Sequence, residues 1–138
     1  EILTPGEKIT VVDTEFGRVG LATCYDLRFP ELFRKMTVNL GAEYFLVTAC
    51  WPFPRIEAWN ALNQARALEN TCYLISSNSV GVNSGIRAAG HSQIVDPWGN
   101  VIACSGYEET IVQAEIFPGE IQRIRKEFPV LQDRKLKI

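Results

Sequence analysis

Arg18-Val-Gly-Leu-Ala-Thr-Cys24-Tyr-Asp-Leu-Arg28-Phe-Pro-Glu-Leu32 decides the fold class, because the hydrophobic period changes within it. The apolar run Val19 to Thr23 reads as a strand. From there on Phe29, Leu32, Phe33, Met36 and Leu40 recur at three- and four-residue steps, which predicts an amphipathic helix of about three turns. Pro30 occupies a first-turn position that tolerates a missing N–H, and Gly41 follows the helix end. A strand that passes within a few residues into a helix is the first half of a crossover unit.

Working outward, the alternating run Ile9 to Thr14 pairs with Val19 to Thr23 through a short turn at Phe16-Gly17. Glu43 to Cys50 is a continuous apolar run, hence a buried strand. A second helix is expected from Pro54 to Asn70, with Ile56, Trp59, Leu62, Ala65 and Leu68 on one face. Cys72 to Ser76 is another buried strand, and the polar stretch Asn78 to Gly90 reads as a long loop. Ser92 to Val95, a turn at Asp96-Pro-Trp-Gly-Asn100, Val101 to Cys104 and Thr110 to Phe117 form an antiparallel meander. A last helix starts near Pro118, turns Ile121, Ile124 and Phe128 inward, stops before Pro129 and leaves a basic tail, Arg134 to Lys137. The order strand, helix, strand, helix, strand followed by hairpins defines an α/β chain with a mixed sheet and helices on one face, in a single domain spanning 1–138. The opening Glu1-Ile-Leu-Thr-Pro-Gly6 has no initiator methionine and reads as a turn already in progress, so the chain is expected to begin inside a longer one.

Composition narrows the function. With 138 residues and 46% apolar content the chain is long enough for a buried core. Fourteen basic and sixteen acidic residues give a net charge of -2 without a basic stripe, which argues against nucleic acid. The apolar runs fall far short of a membrane span of about 20 residues. No secretory leader opens the sequence, and a cytoplasmic setting is the expectation. Cys24, Cys50, Cys72 and Cys104 lie in apolar runs rather than at CxxC spacing and read as free thiols. Cys50, Cys72 and Cys104 are read as buried small hydrophobes. The single histidine, His91, has no partner at metal-ligand spacing, so no metal site is expected.

The chemistry concentrates at Cys24. A small reactive side chain between a strand end and a helix start is held by the strand and exposed by the turn, and the amides that follow it are placed to face an oxyanion. Asp26 and Arg28 flank it and are expected to pair and brace the turn. Arg66 and Glu69, three residues apart on a helix, are expected to form a salt bridge. Trp51, just after a strand, is a candidate for the pocket lining or for packing. Asn78 is a candidate for a polar pocket role or for structural capping. A Cys24–His91 dyad of the thiol-protease kind is a rival arrangement.

The segment from Arg18 to Leu32 resembles the nucleophile segment of the nitrilase superfamily of carbon–nitrogen hydrolases, especially its amidase-like branch. The resemblance continues through Trp51-Pro52 with Trp59, Gln64-Ala-Arg-Ala-Leu-Glu-Asn70 and Gly90-His-Ser-Gln-Ile-Val-Asp-Pro-Trp-Gly99, in order along nearly the whole chain. It implies half of an αββα sandwich, the C-terminal half of one domain. It also implies a Cys–Glu–Lys site, in which Cys24 is the nucleophile and the Tyr25 backbone N–H is one oxyanion donor. The general-base Glu and the Lys would belong to the half preceding Glu1, and neither maps onto this sequence. The expected reaction is hydrolysis of a small linear amide, ω-amidase-like, through a thioester and without a cofactor. The resemblance makes His91 structural rather than catalytic, and it implies a homodimer or higher homo-oligomer formed through Phe29–Leu40 and Ile56–Asn70.

Rival readings are a true nitrilase or N-carbamoyl hydrolase, a non-catalytic assembly or structural half, and a thiol-sensing domain built on Cys24. Against the last stands the absence of a neighbouring resolving cysteine.

Overall fold

The computed structural model describes residue 4 and residues 6–136. The turn expected over Glu1–Gly6 and the end of the basic tail lie partly outside the described residues. A six-stranded mixed sheet has the order β1-β2-β3-β4-β7-β8. Its strands are β1 (Val11–Thr14), β2 (Gly17–Thr23), β3 (Tyr44–Ala49), β4 (Tyr73–Asn78), β7 (Gln93–Val95) and β8 (Val101–Cys104). β2, β3 and β4 run parallel, and the outer pairs are antiparallel. The parallel pairs are joined by α1 (Pro30–Val38) and α2 (Ile56–Asn70), as crossover units require.

Register separates the two faces of the sheet. Gly20, Phe45 and Leu74 lie side by side, as do Ala22 and Val47, and this face carries the main core with Phe33, Met36, Trp59 and Ala67 of the two helices. A side chain at Gly20 would meet the Met36 sulfur at 2.7 Å, so the glycine allows α1 to press on β2. On the opposite face, Val19, Tyr44 and Tyr73 form a row covered by Ile121 of α3 (Pro118–Glu127). The next row on that face runs Leu21, Leu46, Ile75 and Ile94: Leu21 and Leu46 are 41% and 40% exposed, Ile75 is half-buried, and Ile94 is buried. β2 and β3, read as buried runs, are therefore covered on one side and open on the other at Leu21 and Leu46.

Several expectations shift. The segment 105–117 forms no strand: after β8 the chain leaves the sheet edge, and Thr110 and Val112 pass over the open face beside Ile94 instead of pairing with β8. The expected long loop 78–90 contains a small hairpin, β5 (Val82–Asn83) with β6 (Ile86–Arg87). Ser84 and Gly85 between them both have positive φ, 50° and 78°, the backbone of a type I′ turn. The buried stripe of α2 is Trp59, Asn63, Arg66, Ala67 and Asn70, whereas Leu68 is exposed. A strict three-residue spacing drifts round a helix of 3.6 residues per turn, and here polar side chains that satisfy helix carbonyls occupy the inward face. Asn63 Nδ2 donates to the Trp59 carbonyl at 2.7 Å and Asn70 Nδ2 to the Arg66 carbonyl at 2.9 Å. In α1, Phe33, Met36 and Thr37 point inward while Phe29 and Leu40 stay exposed. Phe128 is exposed as well, its ring 5.8 Å from that of Trp98. Among the described residues no helix is long and apolar enough to cross a membrane.

Candidate active site

Cys24 follows the last residue of β2 and opens a 3-10 turn, Cys24–Arg28. Its φ is +46°, a left-handed conformation that costs a residue with a β-carbon on the order of 1–2 kcal/mol and persists only where the surroundings enforce it. The enforcement comes from three places. The Asp26 carboxylate accepts the Thr23 backbone N–H at 2.8 Å, and the Asp26 carbonyl accepts the Phe29 N–H at 3.0 Å. Leu27 is fully buried in the main core. From beneath, Arg66 donates through Nε to the Leu27 carbonyl at 3.0 Å, and its Nη1 holds Glu69 at 3.0 Å. The Arg66–Glu69 salt bridge is as expected, but sequence spacing gave no sign that Arg66 also reaches the turn.

Asp26 and Arg28 do not pair with each other. Asp26 is engaged with the backbone at Thr23, and the Arg28 guanidinium lies over the Trp51 ring at 5.0 Å and the Tyr25 ring at 6.0 Å. Alternate residues around so tight a turn face different ways, which separates the two charges.

Cys24, Tyr25, Arg28, Cys50, Trp51, Pro52 and Arg55 line one cavity of about 450 Å³ at the C-terminal ends of β2 and β3. Its charged lining residues are both arginines. Trp51 lines this cavity and is 2% exposed, its indole Nε1 donating to the Arg55 carbonyl at 2.7 Å. Asn78 takes the capping role. Its Oδ1 accepts the Trp51 N–H and its Nδ2 donates to the Gly90 carbonyl, both at 2.7 Å, so it ties the β3 end to the loop before β7. His91 likewise acts through its backbone, its N–H bonded to the Gly106 carbonyl and its carbonyl accepting the Trp59 indole at 2.7 Å. Its ring lies 5.0 Å from that of Tyr107, and it is not among the residues lining the Cys24 cavity.

The other cysteines divide. Cys72 is buried, and burial pushes its thiol up to about 11. Cys50 and Cys104 are exposed, contrary to the expectation of buried hydrophobes. Cys50 stands just past the end of β3, and Cys104 ends β8 at the sheet edge, so neither has a layer above it. Cys50 and Arg55 were not singled out by sequence; the signal available was their place in the loop at the C-terminal end of a parallel strand. No group of three or more histidine, cysteine or acidic side chains suited to a metal ion occurs among the described residues.

Known proteins resemble this chain in sequence and in fold. A 2-oxoglutaramate amidase of Bacillus subtilis is 47% identical over 110 residues, which is 80% of this chain and 42% of that protein. The structure of Saccharomyces cerevisiae Nit3, a member of branch 10 of the nitrilase superfamily, superposes with a TM-score of 0.88 at 34% identity, over 97% of this chain and 50% of that one. An amidase from Nesterenkonia sp. AN1, bearing the acetamide moiety of fluoroacetamide covalently on its active-site cysteine, superposes with a TM-score of 0.82 at 28% identity, over 96% of this chain and 47% of that one. The chain spans about half the length of the curated relatives it matches. The sequence profile of the carbon-nitrogen hydrolases matches residues 1–126, and the chain belongs to that family.

Proposed function

We propose that the intact protein hydrolyses a small linear amide carrying an anionic group, ω-amidase-like, with Cys24 as nucleophile. The observation that carries this reading is a strained, solvent-reachable cysteine in a cavity whose charged lining residues are Arg28 and Arg55. Cys24 Sγ attacks the amide carbonyl, and the oxyanion of the tetrahedral intermediate faces the Tyr25 backbone N–H at the start of the turn. Collapse expels the amine with a proton and leaves a thioester, which water hydrolyses to release the acid and restore the thiol. An amide is a poor electrophile with a poor leaving group, so the cysteine requires a base and a proton donor. The family resemblance supplies these as a Glu and a Lys from the other half of the same domain, this chain being one partial domain of it. Arg28, held over Trp51, positions the substrate's carboxylate at a fixed distance from Cys24. The names of the amidase relatives support an amide over a nitrile.

Assay of the intact protein against amides with and without a distal carboxylate, and against matched nitriles, tests the reading. Amide turnover with an acyl adduct on Cys24 in the mass of the trapped enzyme is expected. Nitrile turnover without amide turnover sinks it.

Taken alone the 138 residues are inert toward amides in this reading, and the row Leu21, Leu46 and Ile75, open at its first two members, is the seat of the other half of the sandwich. An apolar sheet face of this extent is seldom left bare. A clean monomer of the fragment in ultracentrifugation would count against that. Exposed Phe29, Val38, Leu40 and Leu68 on the outer sides of α1 and α2 support a homodimer or higher homo-oligomer, and the free thiols fit a cytoplasmic setting.

A further inference from the structure

Cys24 and Cys50 lie twenty-six residues apart in sequence and line the same cavity. β2 and β3 are parallel neighbours with Thr23 opposite Thr48, so Cys24, one residue past Thr23, and Cys50, two residues past Thr48, leave the sheet at the same end and into that cavity. A disulfide between them needs a Cα separation of about 4.4–6.8 Å, and a linked peptide reads that approach directly. Cys24 is partly exposed and Cys50 is exposed. Neither thiol is engaged in a hydrogen bond among the described residues, in contrast to Cys72, whose sulfur lies 3.3 Å from the Ala42 and Asn70 carbonyls.

We propose that Cys24 and Cys50 form a dithiol modification site that a hydroperoxide closes to a disulfide, switching the amidase off reversibly. The Cys24 thiolate attacks the peroxide O–O bond, becoming a sulfenic acid while the peroxide leaves as water or an alcohol after protonation. The Cys50 thiolate then attacks the Cys24 sulfur, the S–S bond forms and the sulfenic oxygen departs as water. Overall two electrons pass from the two thiols to one peroxide, and a small dithiol returns them. The closed form has no nucleophile, while Cys24 is spared the irreversible sulfinic acid. This rests on the reading of Cys24 as the reactive thiol and adds a partner to it.

The test treats the intact protein with graded hydrogen peroxide, blocks the remaining thiols, and follows amide turnover before and after dithiothreitol alongside peptide masses. Wild type is expected to lose its turnover, yield a Cys24–Cys50 linked peptide and recover its starting rate on reduction. In Cys50→Ala, scored against its own untreated rate, the loss is expected to be permanent, with Cys24 found as sulfinic acid. Equal recovery in wild type and Cys50→Ala, or sulfinic acid at Cys24 in both, overturns the proposal. Linkage in a protein that hydrolyses no amide refutes the amidase reading and leaves the dithiol site standing; amide turnover without linkage does the reverse.

Discussion

Cys24 and Cys72 occupy opposite ends of the same set of parallel strands, Cys24 past the end of β2 and Cys72 just ahead of β4. At the first end the strands open into a cavity, the backbone is strained and the nearby charges are arginines facing solvent. At the other end the chain is sealed. Arg125 of α3 reaches in to donate to the Ala42 carbonyl at 2.9 Å and the Thr71 hydroxyl at 3.1 Å, with its Nη2 3.2 Å from the Cys72 sulfur. The Thr37 hydroxyl closes the remaining side at 3.6 Å. Both thiols stand at a junction between strand and helix, Cys24 where a strand ends and Cys72 where one begins. Their surroundings make one available for chemistry and the other a buried structural group.

That contrast breaks most visibly in activity. Cys24→Ala in the intact protein is expected to remove amide turnover by at least about a thousandfold, some 4 kcal/mol of transition-state stabilisation. Cys72→Ala should leave turnover near the wild-type rate. Initial-rate assays on both variants decide the point, and an active Cys24→Ala protein would erase the distinction between the two ends.

The sealed end is next in size. Arg125→Met keeps the side-chain stem and removes the donors, leaving the Ala42 carbonyl and the Thr71 hydroxyl without their partner; a loss of about 2–3 kcal/mol in urea unfolding is expected. Comparable in size is the effect of pH. Burial raises the folded Cys72 thiol to about 11 from an ordinary value near 9. Its contribution is therefore fully present below pH 9 and is lost as pH rises toward 11, because the unfolded thiol ionises while the folded one cannot. The expected loss across that window is about 2–3 kcal/mol, and it should shrink in Cys72→Ala. Tyr44 and Tyr73, raised by the same desolvation, act in the same direction and remain in the variant.

The smallest effect refines the open end. Arg66→Met removes the donor to the Leu27 carbonyl and loosens the turn that holds Cys24. A fall in kcat of about tenfold with KM little changed is expected, about 1.4 kcal/mol. A change confined to KM would assign Arg66 to binding instead.

Periodicity alone made the order of strands and helices, the crossover units and the exposed turn at Cys24 legible, because each follows from side chains within a few residues of one another. The family resemblance added the nucleophile role and the half-sandwich. Local pattern did not reveal which face of β3 is covered: an apolar run looks the same whether one layer or two lie over it, and only the placement of α1, α2 and α3 shows Leu46 to be bare. Thr110 to Phe117 has strand-like side chains, yet a ladder needs a neighbour with free backbone groups, and tertiary routing takes the segment elsewhere. Asp26 and Arg28 were adjacent enough to suggest a pair, and the turn geometry gave each another partner. Arg66 on Leu27, Asn78 on Trp51, and Cys50 beside Cys24 all join residues more than twenty positions apart. Sequence by itself determined which local structures form and which side chain is the reactive candidate. Tertiary structure decided what surrounds that side chain, because burial, charge and hydrogen bonding at a site depend on residues brought together only when the sheet assembles.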